Sequence, residues 1–143
     1  MPDQRDCKAC RANARDADPY LVWRNDLWVL RHTRPPYAAL GWMTLHSQRH
    51  AASFTALPAA ELADLGPTLA RISTAIIAAT GALRVYLASM TEMTPHFHAH
   101  LVPRYTDGPK GWETFKLKQQ AASSTVADAD VHAVMEAVRA SLG

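Results

Sequence analysis

Between residues 94 and 101, polar and apolar positions alternate strictly, which is typical of a half-buried β-strand. A strand turns successive side chains to opposite faces. One face would carry three imidazoles, those of His96, His98 and His100. The other face would carry Phe97, Ala99 and Leu101, and we expect it to be the buried side. Val102 before Pro103 suits the end of this strand.

Four further stretches have strand patterns. Residues 20–23 and 27–31 flank the turn residues Arg24-Asn25-Asp26 and predict a β-hairpin. Residues 41–46 and 84–89 predict two more strands, which gives an antiparallel sheet of about five strands. Trp23 and Trp28 lie in the hairpin and are interpreted as core or interface aromatics.

Two helices follow from apolar positions spaced three and four apart. The first begins near residues 55–58 and is expected to end at Gly81, with Pro67 kinking or splitting it. Its apolar stripe consists of Leu62, Leu65, Leu69, Ile72 and Ile76. The second occupies about residues 125–142 and leaves His132 exposed. Its stripe consists of Val131, Val134, Met135, Val138 and Leu142.

Composition and charge limit the function classes. The chain has 143 residues, 48% of them hydrophobic and 20% charged, which predicts a single domain over residues 1–143. A formal net charge of +2 is too small to indicate nucleic acid as the main partner. The apolar runs are too short for a membrane span. Residues 1–6 lack the apolar stretch of a secretion signal, so we expect a cytoplasmic protein.

The row of imidazoles has two chemical interpretations. Neutral imidazole is a common zinc ligand, and it is also a nucleophile or acid–base group near neutral pH. Residues two apart on a strand are separated by roughly 6.5–7 Å, so His96 and His100 would lie about 13 Å apart. One metal with bonds of ~2 Å would not easily reach both ends of the row. We therefore expect the three rings to have different roles rather than to bind one ion together.

Both cysteines of the chain lie in the motif Cys7-Lys8-Ala9-Cys10. Two thiols at this spacing can be half of a zinc site, a redox pair or unconnected residues. A redox pair usually opens a helix after a strand, and only six residues precede Cys7. The zinc interpretation needs two more ligands, which the histidines of the chain could supply.

The run His96-Phe97-His98-Ala99-His100-Leu101-Val102 resembles the signature of the histidine triad family, in which histidines alternate with apolar residues. The order of hairpin, strand, long helix, strand and triad strand resembles that family across a core of about residues 7–110. The resemblance implies an α+β fold with one antiparallel sheet, one long helix and a C-terminal helix. It also implies a homodimer in which two subunits pair through their sheets.

The resemblance further implies a nucleotide hydrolase or nucleotidyl transferase that acts at the α-phosphate through a nucleotidyl–histidine intermediate. His98 would be the nucleophile, and His100 would stabilise charge on the phosphate oxygens. Bacterial members that contain zinc hold it with a pair of cysteines and two histidines. The matching residues here are Cys7, Cys10, His50 and His96, a complete tetrahedral set that implies a structural zinc.

Three positions depart from the family pattern. Trp42 stands where many members carry a histidine, and Thr33 stands where many carry a ribose-binding aspartate. Glu92 replaces a glutamine of the loop before the triad, and with Thr94 it is expected to bind substrate. A carboxylate repels phosphate unless it is protonated or paired, so Glu92 could instead contact a cationic or amine leaving group. Two alternatives therefore stay open: a nucleotide-binding regulatory protein with a weakly catalytic triad, and a metal-dependent hydrolase.

Overall fold

A computed structural model describes residues 4–143 and contains one five-stranded sheet. The strands are β1 (Leu21–Arg24), β2 (Trp28–His32), β3 (Met43–Ser47), β4 (Arg84–Ala88) and β5 (His98–Arg104). Their order in the sheet is β1-β2-β3-β5-β4, and every neighbouring pair is antiparallel. The predicted α+β fold with about five strands is confirmed.

Four α-helices accompany the sheet: α1 (Lys8–Asn13), α2 (Ala59–Thr80), α3 (Trp112–Phe115) and α4 (Asp128–Leu142). Three short 3-10 helices cover Gln4–Asp6, Phe54–Ala56 and Lys116–Ser123. The long helix and the C-terminal helix were predicted. Helices α1 and α3 and the Lys116–Ser123 segment were not, because they are too short to show an apolar period.

Helices α2 and α4 pack against the sheet face that carries Phe97, Ala99 and Leu101, as the alternation predicted. All five apolar positions predicted for α4 are buried. In α2, Ile72 and Ile76 are fully buried, but Leu62 is 38% exposed and lies outside the core. By length and composition alone α2 could cross a membrane. In this fold the rest of its apolar stripe packs in or against the core instead.

Pro67 does not split α2, which runs without interruption from Ala59 to Thr80. A proline inside a helix removes one backbone N–H and leaves the carbonyl four residues earlier without its usual partner. Here that carbonyl belongs to Ala63, and both Ala63 and Pro67 are exposed. Water can therefore satisfy the freed carbonyl, which explains why the helix continues.

The triad strand begins later than its pattern predicted. β5 starts at His98, so His96 lies in the segment before the strand rather than on its face. At the other end, Pro103 lies inside β5 and pairs with Val85 of β4. Pairing with β3 ends at Leu101. A residue without an N–H is tolerated at Pro103 because the strand is paired on only one side there.

The two edge strands of the sheet, β1 and β4, differ in their contacts and exposure. At the β1 edge, the guanidinium of Arg139 on α4 donates to the carbonyls of Leu21 and Val22 at 2.8 and 2.9 Å. At the β4 edge, Leu87 is 53% exposed. The C-terminal helix thus ties down one edge strand and leaves the other accessible.

Candidate active site and metal centre

Helix α1 brings the two cysteines together. Cys7 is the N-cap of the helix, and its sulfur accepts the backbone N–H of Cys10 at 3.4 Å. Such a cap satisfies one of the free amides at a helix start. The two thiols therefore point to the same side, toward His50, which follows β3, and His96, which precedes β5.

The four side chains form a compact donor cluster. Their ligand atoms all lie within 4.8 Å of one another. His96 Nδ1 lies 3.4 Å from the sulfur of Cys7 and 3.5 Å from that of Cys10. His50 Nδ1 lies 3.3 Å from the Cys10 sulfur. A tetrahedral ion with Zn–S bonds of ~2.3 Å and Zn–N bonds of ~2.0–2.1 Å separates neighbouring S and N ligands by about 3.5 Å.

The surroundings of the cluster also fit a metal ion. His96 is fully buried, and its Nε2 donates to the Ser47 carbonyl at 2.8 Å, which leaves Nδ1 free to face the sulfurs. Such outer hydrogen bonds are usual for metal-binding histidines. Burial and the neighbouring Cys7 raise the pKa of Cys10 to about 11, so a bound cation is needed to hold both sulfurs as thiolates. The cluster supports a structural zinc with no open coordination position.

His98 has one ring nitrogen committed and one available. Its Nδ1 lies 2.8 Å from the His96 carbonyl oxygen. A carbonyl only accepts, so Nδ1 carries the proton and Nε2 keeps its lone pair. No described residue bonds to Nε2. The side chain lines an open cavity, and Nε2 is therefore accessible.

His100 has the opposite arrangement. The indole N–H of Trp42 donates to His100 Nδ1 at 3.1 Å. Since Nδ1 accepts, the proton of neutral His100 resides on Nε2, where it can be donated. Trp42 is 2% exposed and packs with Ala39 and Val102, which fixes the indole. The departure at Trp42 thus supplies the hydrogen bond that orients His100.

A cavity of about 530 Å³ opens over these rings. Its lining includes the predicted catalytic and substrate-binding residues: Glu92, Thr94, His98 and His100. Thr33 does not line it, and the Thr33 amide instead donates to the Trp42 carbonyl at 3.0 Å. The four residues predicted to be catalytic or substrate-binding therefore line one cavity, and Thr33 lies outside it.

Two titratable residues of the cavity escaped the sequence analysis. His46 on β3 pairs directly with His98 on β5, and the two rings stack with centroids 5.4 Å apart at 23°. Lys118 reaches the cavity from the Lys116–Ser123 segment. The alternation of Met43, Thr44, Leu45 and His46 marks the exposed face of β3. Without the register to β5, however, it does not show which residues share a site.

Burial keeps two imidazoles of the cavity, those of His46 and His100, neutral. Burial lowers the pKa of His100 to about 4, and the positive charge of Lys118 adds to the effect. Burial lowers the pKa of His46 to about 3, with a further contribution from His98. At neutral pH both rings are therefore uncharged, each with one N–H donor and one lone pair.

Comparisons with known proteins identify the fold. No protein-family model and no curated protein sequence matches the chain. Among solved structures, a Hit-like protein involved in cell-cycle regulation from Bartonella henselae has 13% identity and a TM-score of 0.75, with 98% of each chain covered.

Two other solved structures give the same result. A Zn-bound histidine triad family protein from Mycobacterium smegmatis is 20% identical with a TM-score of 0.71, covering 98% of this chain and 95% of that one. A hypothetical histidine triad nucleotide-binding protein from Sulfolobus tokodaii is 16% identical with a TM-score of 0.70, covering 95% of this chain and 91% of that one. The chain has the histidine triad fold over nearly its whole length.

Proposed function

We propose that this chain, which has the histidine triad fold, is a nucleotide hydrolase or nucleotidyl transferase that acts at the α-phosphate through a covalent intermediate on His98. The observation that carries the proposal is the hydrogen bond from His98 Nδ1 to the His96 carbonyl, 2.8 Å long. It leaves the Nε2 lone pair directed away from that carbonyl, in a ring that lines the cavity. A neutral imidazole held in this way needs no additional base to attack.

The reaction has two balanced steps. In the first, the Nε2 lone pair of His98 forms a bond to the α-phosphorus, and the bond from phosphorus to the leaving group breaks with its electron pair. In the second, water attacks the same phosphorus, and the N–P bond returns its electrons to Nε2. The attacking water loses one proton and the leaving group gains one, so the products are a nucleoside monophosphate and a protonated leaving group. In a transferase, an acceptor hydroxyl or amine replaces water.

His100 supports this chemistry as a hydrogen-bond donor. The Trp42 indole occupies its Nδ1, so Nε2–H can be donated to a non-bridging phosphate oxygen. A donor aimed where negative charge develops stabilises the transition state. Thr94 lies at the cavity edge and would bind the phosphate through its hydroxyl. Glu92 lies at the same edge and would contact an amine or cationic leaving group, since it would repel an anionic one.

The metal centre would act on this site at a distance. Zinc held by Cys7, Cys10, His50 and His96 would supply structural stabilisation only, because four protein ligands leave no position for water. Its effect on the cavity passes through His96. The ring of His96 belongs to the cluster, whereas its carbonyl fixes the ring of His98. The metal centre thus holds the residue that orients the nucleophile.

The predicted homodimer is part of the proposal. β4 is an edge strand in which Leu87 is 53% exposed, and Leu83 immediately before it is 52% exposed. An exposed apolar edge favours strand pairing with another chain. Light scattering on a size-exclusion column tests this: we expect twice the mass of the 15.7 kDa chain, and Leu87→Lys should shift the protein to the monomer. A cytoplasmic location, without membrane or nucleic-acid binding, stays a prediction.

Product release tests the catalytic proposal. Wild type and His98→Ala are incubated with dinucleoside polyphosphates, adenosine phosphoramidate and their guanosine equivalents, and nucleoside monophosphate is measured. Release that disappears in His98→Ala supports the covalent route, and acid-labile labelling of the wild-type protein by a labelled nucleotide would identify the intermediate. His132→Ala, a change at an exposed histidine of α4, is the matched control.

The same assay separates the alternatives. Undiminished release by His98→Ala would remove His98 as the nucleophile. Binding of nucleotide without release from any compound would favour a nucleotide-binding regulatory protein, which Glu92 at the cavity edge would also suit. The metal-dependent hydrolase has less support. The group of metal-ligating side chains found among residues 4–143 contains neither His98 nor His100.

A further inference from the structure

His46 presents an imidazole to the cavity with neither nitrogen hydrogen-bonded to any described residue. Its Nδ1 is buried without a partner. Nε2 is not among the buried atoms of residues 4–143 that lack partners, so it is the nitrogen that remains accessible on the cavity side. An apolar side chain at this strand position would avoid the cost of burying an unpaired polar atom. A polar ring at this position is explained if a ligand in the cavity binds its accessible nitrogen, Nε2.

The tautomer of this ring follows from the same contacts. A buried N–H without an acceptor is among the rarest arrangements in folded proteins, whereas an unsatisfied acceptor is tolerated more often. With no acceptor at Nδ1, the proton of neutral His46 resides on Nε2. The ring thus offers the cavity an N–H donor.

The sheet register places this donor beside the nucleophile. His46 is directly opposite His98, and Thr44 is directly opposite His100. Directly opposed residues on one face lie ~4.5–5.5 Å apart at Cβ. A phosphoryl group above His98 would have His100 on its own strand and His46 on the neighbouring strand. Two donors on adjacent strands can reach different oxygens of one phosphorus centre.

We infer that His46 is a phosphate-binding residue of this cavity, whose Nε2–H donates to a second non-bridging oxygen of the phosphoryl group attached to, or attacked by, His98. The inference rests on the proposed function. It adds a hydrogen bond to the phosphoryl group from β3, whereas the triad residues His98 and His100 both lie on β5. The class of ligand is a phosphoester or phosphoanhydride anion with at least two free oxygens on the phosphorus.

The stack on His98 offers a competing role for the ring. Flat contact at 5.4 Å could simply hold the nucleophile in place, without any donor. Two substitutions separate these roles. His46→Phe keeps a flat ring and removes both nitrogens, whereas His46→Gln removes the ring and keeps an N–H donor at a similar reach.

The experiment measures both turnover and binding. kcat and KM for nucleoside monophosphate release are determined with a substrate that wild type accepts. The Kd of the corresponding nucleoside monophosphate is measured by calorimetry on the zinc-loaded protein. We expect His46→Phe to lower kcat/KM and weaken product binding by about 10- to 100-fold, the effect of one lost hydrogen bond to a charged group. His46→Gln should recover most of both losses. The same two substitutions at His132 should change neither.

Three results would overturn the inference. Full activity and binding in His46→Phe would reduce the ring to a packing role. A larger loss in His46→Gln than in His46→Phe would show that stacking matters more than donation. Unchanged product binding in both variants would remove His46 from the phosphate. If wild type binds nucleotide but releases none, the proposed function fails, whereas weakened binding in His46→Phe would still support the phosphate contact.

Discussion

The metal centre and the cavity share the run from His96 to His100, yet they use imidazole in opposite ways. In the metal centre, both nitrogens of His96 are engaged, Nδ1 toward the sulfurs and Nε2 on the Ser47 carbonyl. In the cavity, His98 and His100 each have one nitrogen held by the protein and one free. The first ring is fully buried, while the other two retain some exposure.

The difference shows what decides the role of a histidine in this fold. Residue type and spacing are the same for all three rings, so neither assigns a function. The assignment comes from which atom the protein occupies. An acceptor at Nδ1 leaves the Nε2 lone pair of His98 available, a donor at Nδ1 leaves the Nε2–H of His100 available, and the contacts of His96 occupy both of its ring nitrogens. Variants that disturb one centre should therefore affect stability or turnover, but not both equally.

The largest expected effect is on turnover in the cavity. His98→Ala should lower nucleotide release by about 10³-fold or more, since it removes the proposed nucleophile. Its zinc content should equal that of wild type, and its Tm should stay within a few degrees. Metal analysis and calorimetry on the same preparation check this. A large fall in Tm or loss of zinc would mean that the two centres are not separable.

The next largest effect is on stability at the metal centre. Cys7→Ser removes a thiolate ligand but leaves a hydroxyl that can still cap α1. We therefore expect loss of stoichiometric zinc and, from the lost metal, a Tm lower by about 10 °C or more. Lys8→Ala, an exposed change in the same helix, is the control and should leave both unchanged. Wild-type protein purified without zinc, with a Tm indifferent to chelator, would contradict the structural role.

A smaller effect on kcat should follow when the His100 ring loses the hydrogen bond that orients it. Trp42→Phe retains most of the buried aromatic surface but removes the N–H that orients His100. We expect kcat to fall about tenfold with little change in KM or zinc content, the usual magnitude for one hydrogen bond. Trp112→Phe, at an indole that is 76% exposed, is the matched control. Equal activity in the two variants would show that His100 does not depend on Trp42 for its orientation.

The smallest effect concerns pH. The pKa of His100 in the folded protein is about 4, below the usual value near 6.5. As pH falls from about 6.5 to 4, the unfolded chain takes up this proton and the folded protein does not, so stability decreases over that window. His100→Asn should therefore lose less Tm than wild type between pH 6.5 and 4.5. Thermal melts of both proteins, with His132→Asn as the control, measure the difference. Parallel curves would contradict it.

The sequence predicted the sheet, the two long helices and the buried face of the triad strand, because each has a clear apolar period. The four metal-ligating positions were also identified, but only through resemblance to zinc-containing relatives. Spacing alone left Cys7 and Cys10 with three interpretations. The distances to His50 and His96 favour the zinc interpretation.

Other parts of the site could not be read from the sequence, for physical reasons. The position of His46 opposite His98 depends on the pairing register of β3 and β5, which strand patterns do not give. The sequence shows Trp42 only as a departure from the histidine that many family members carry at this position. Its hydrogen bond to His100 arises through packing and cannot be seen in the sequence. Lys118 belongs to a short irregular segment without a period. His96 was placed on the strand face, because an alternating pattern cannot mark where hydrogen bonding to neighbouring strands begins.

The contact of Arg139 with the carbonyls of Leu21 and Val22 limits how copies of this chain can associate. A sheet that can add strands at both ends can grow into a filament, because each added copy offers a new free end. Here one end is covered by the chain's own C-terminal helix. Among residues 4–143, β4 is the edge strand that this helix leaves uncovered, so pairing of two copies through β4 would leave no such edge for a third copy. If copies pair through β4, the Arg139 guanidinium would thus limit the assembly to two copies.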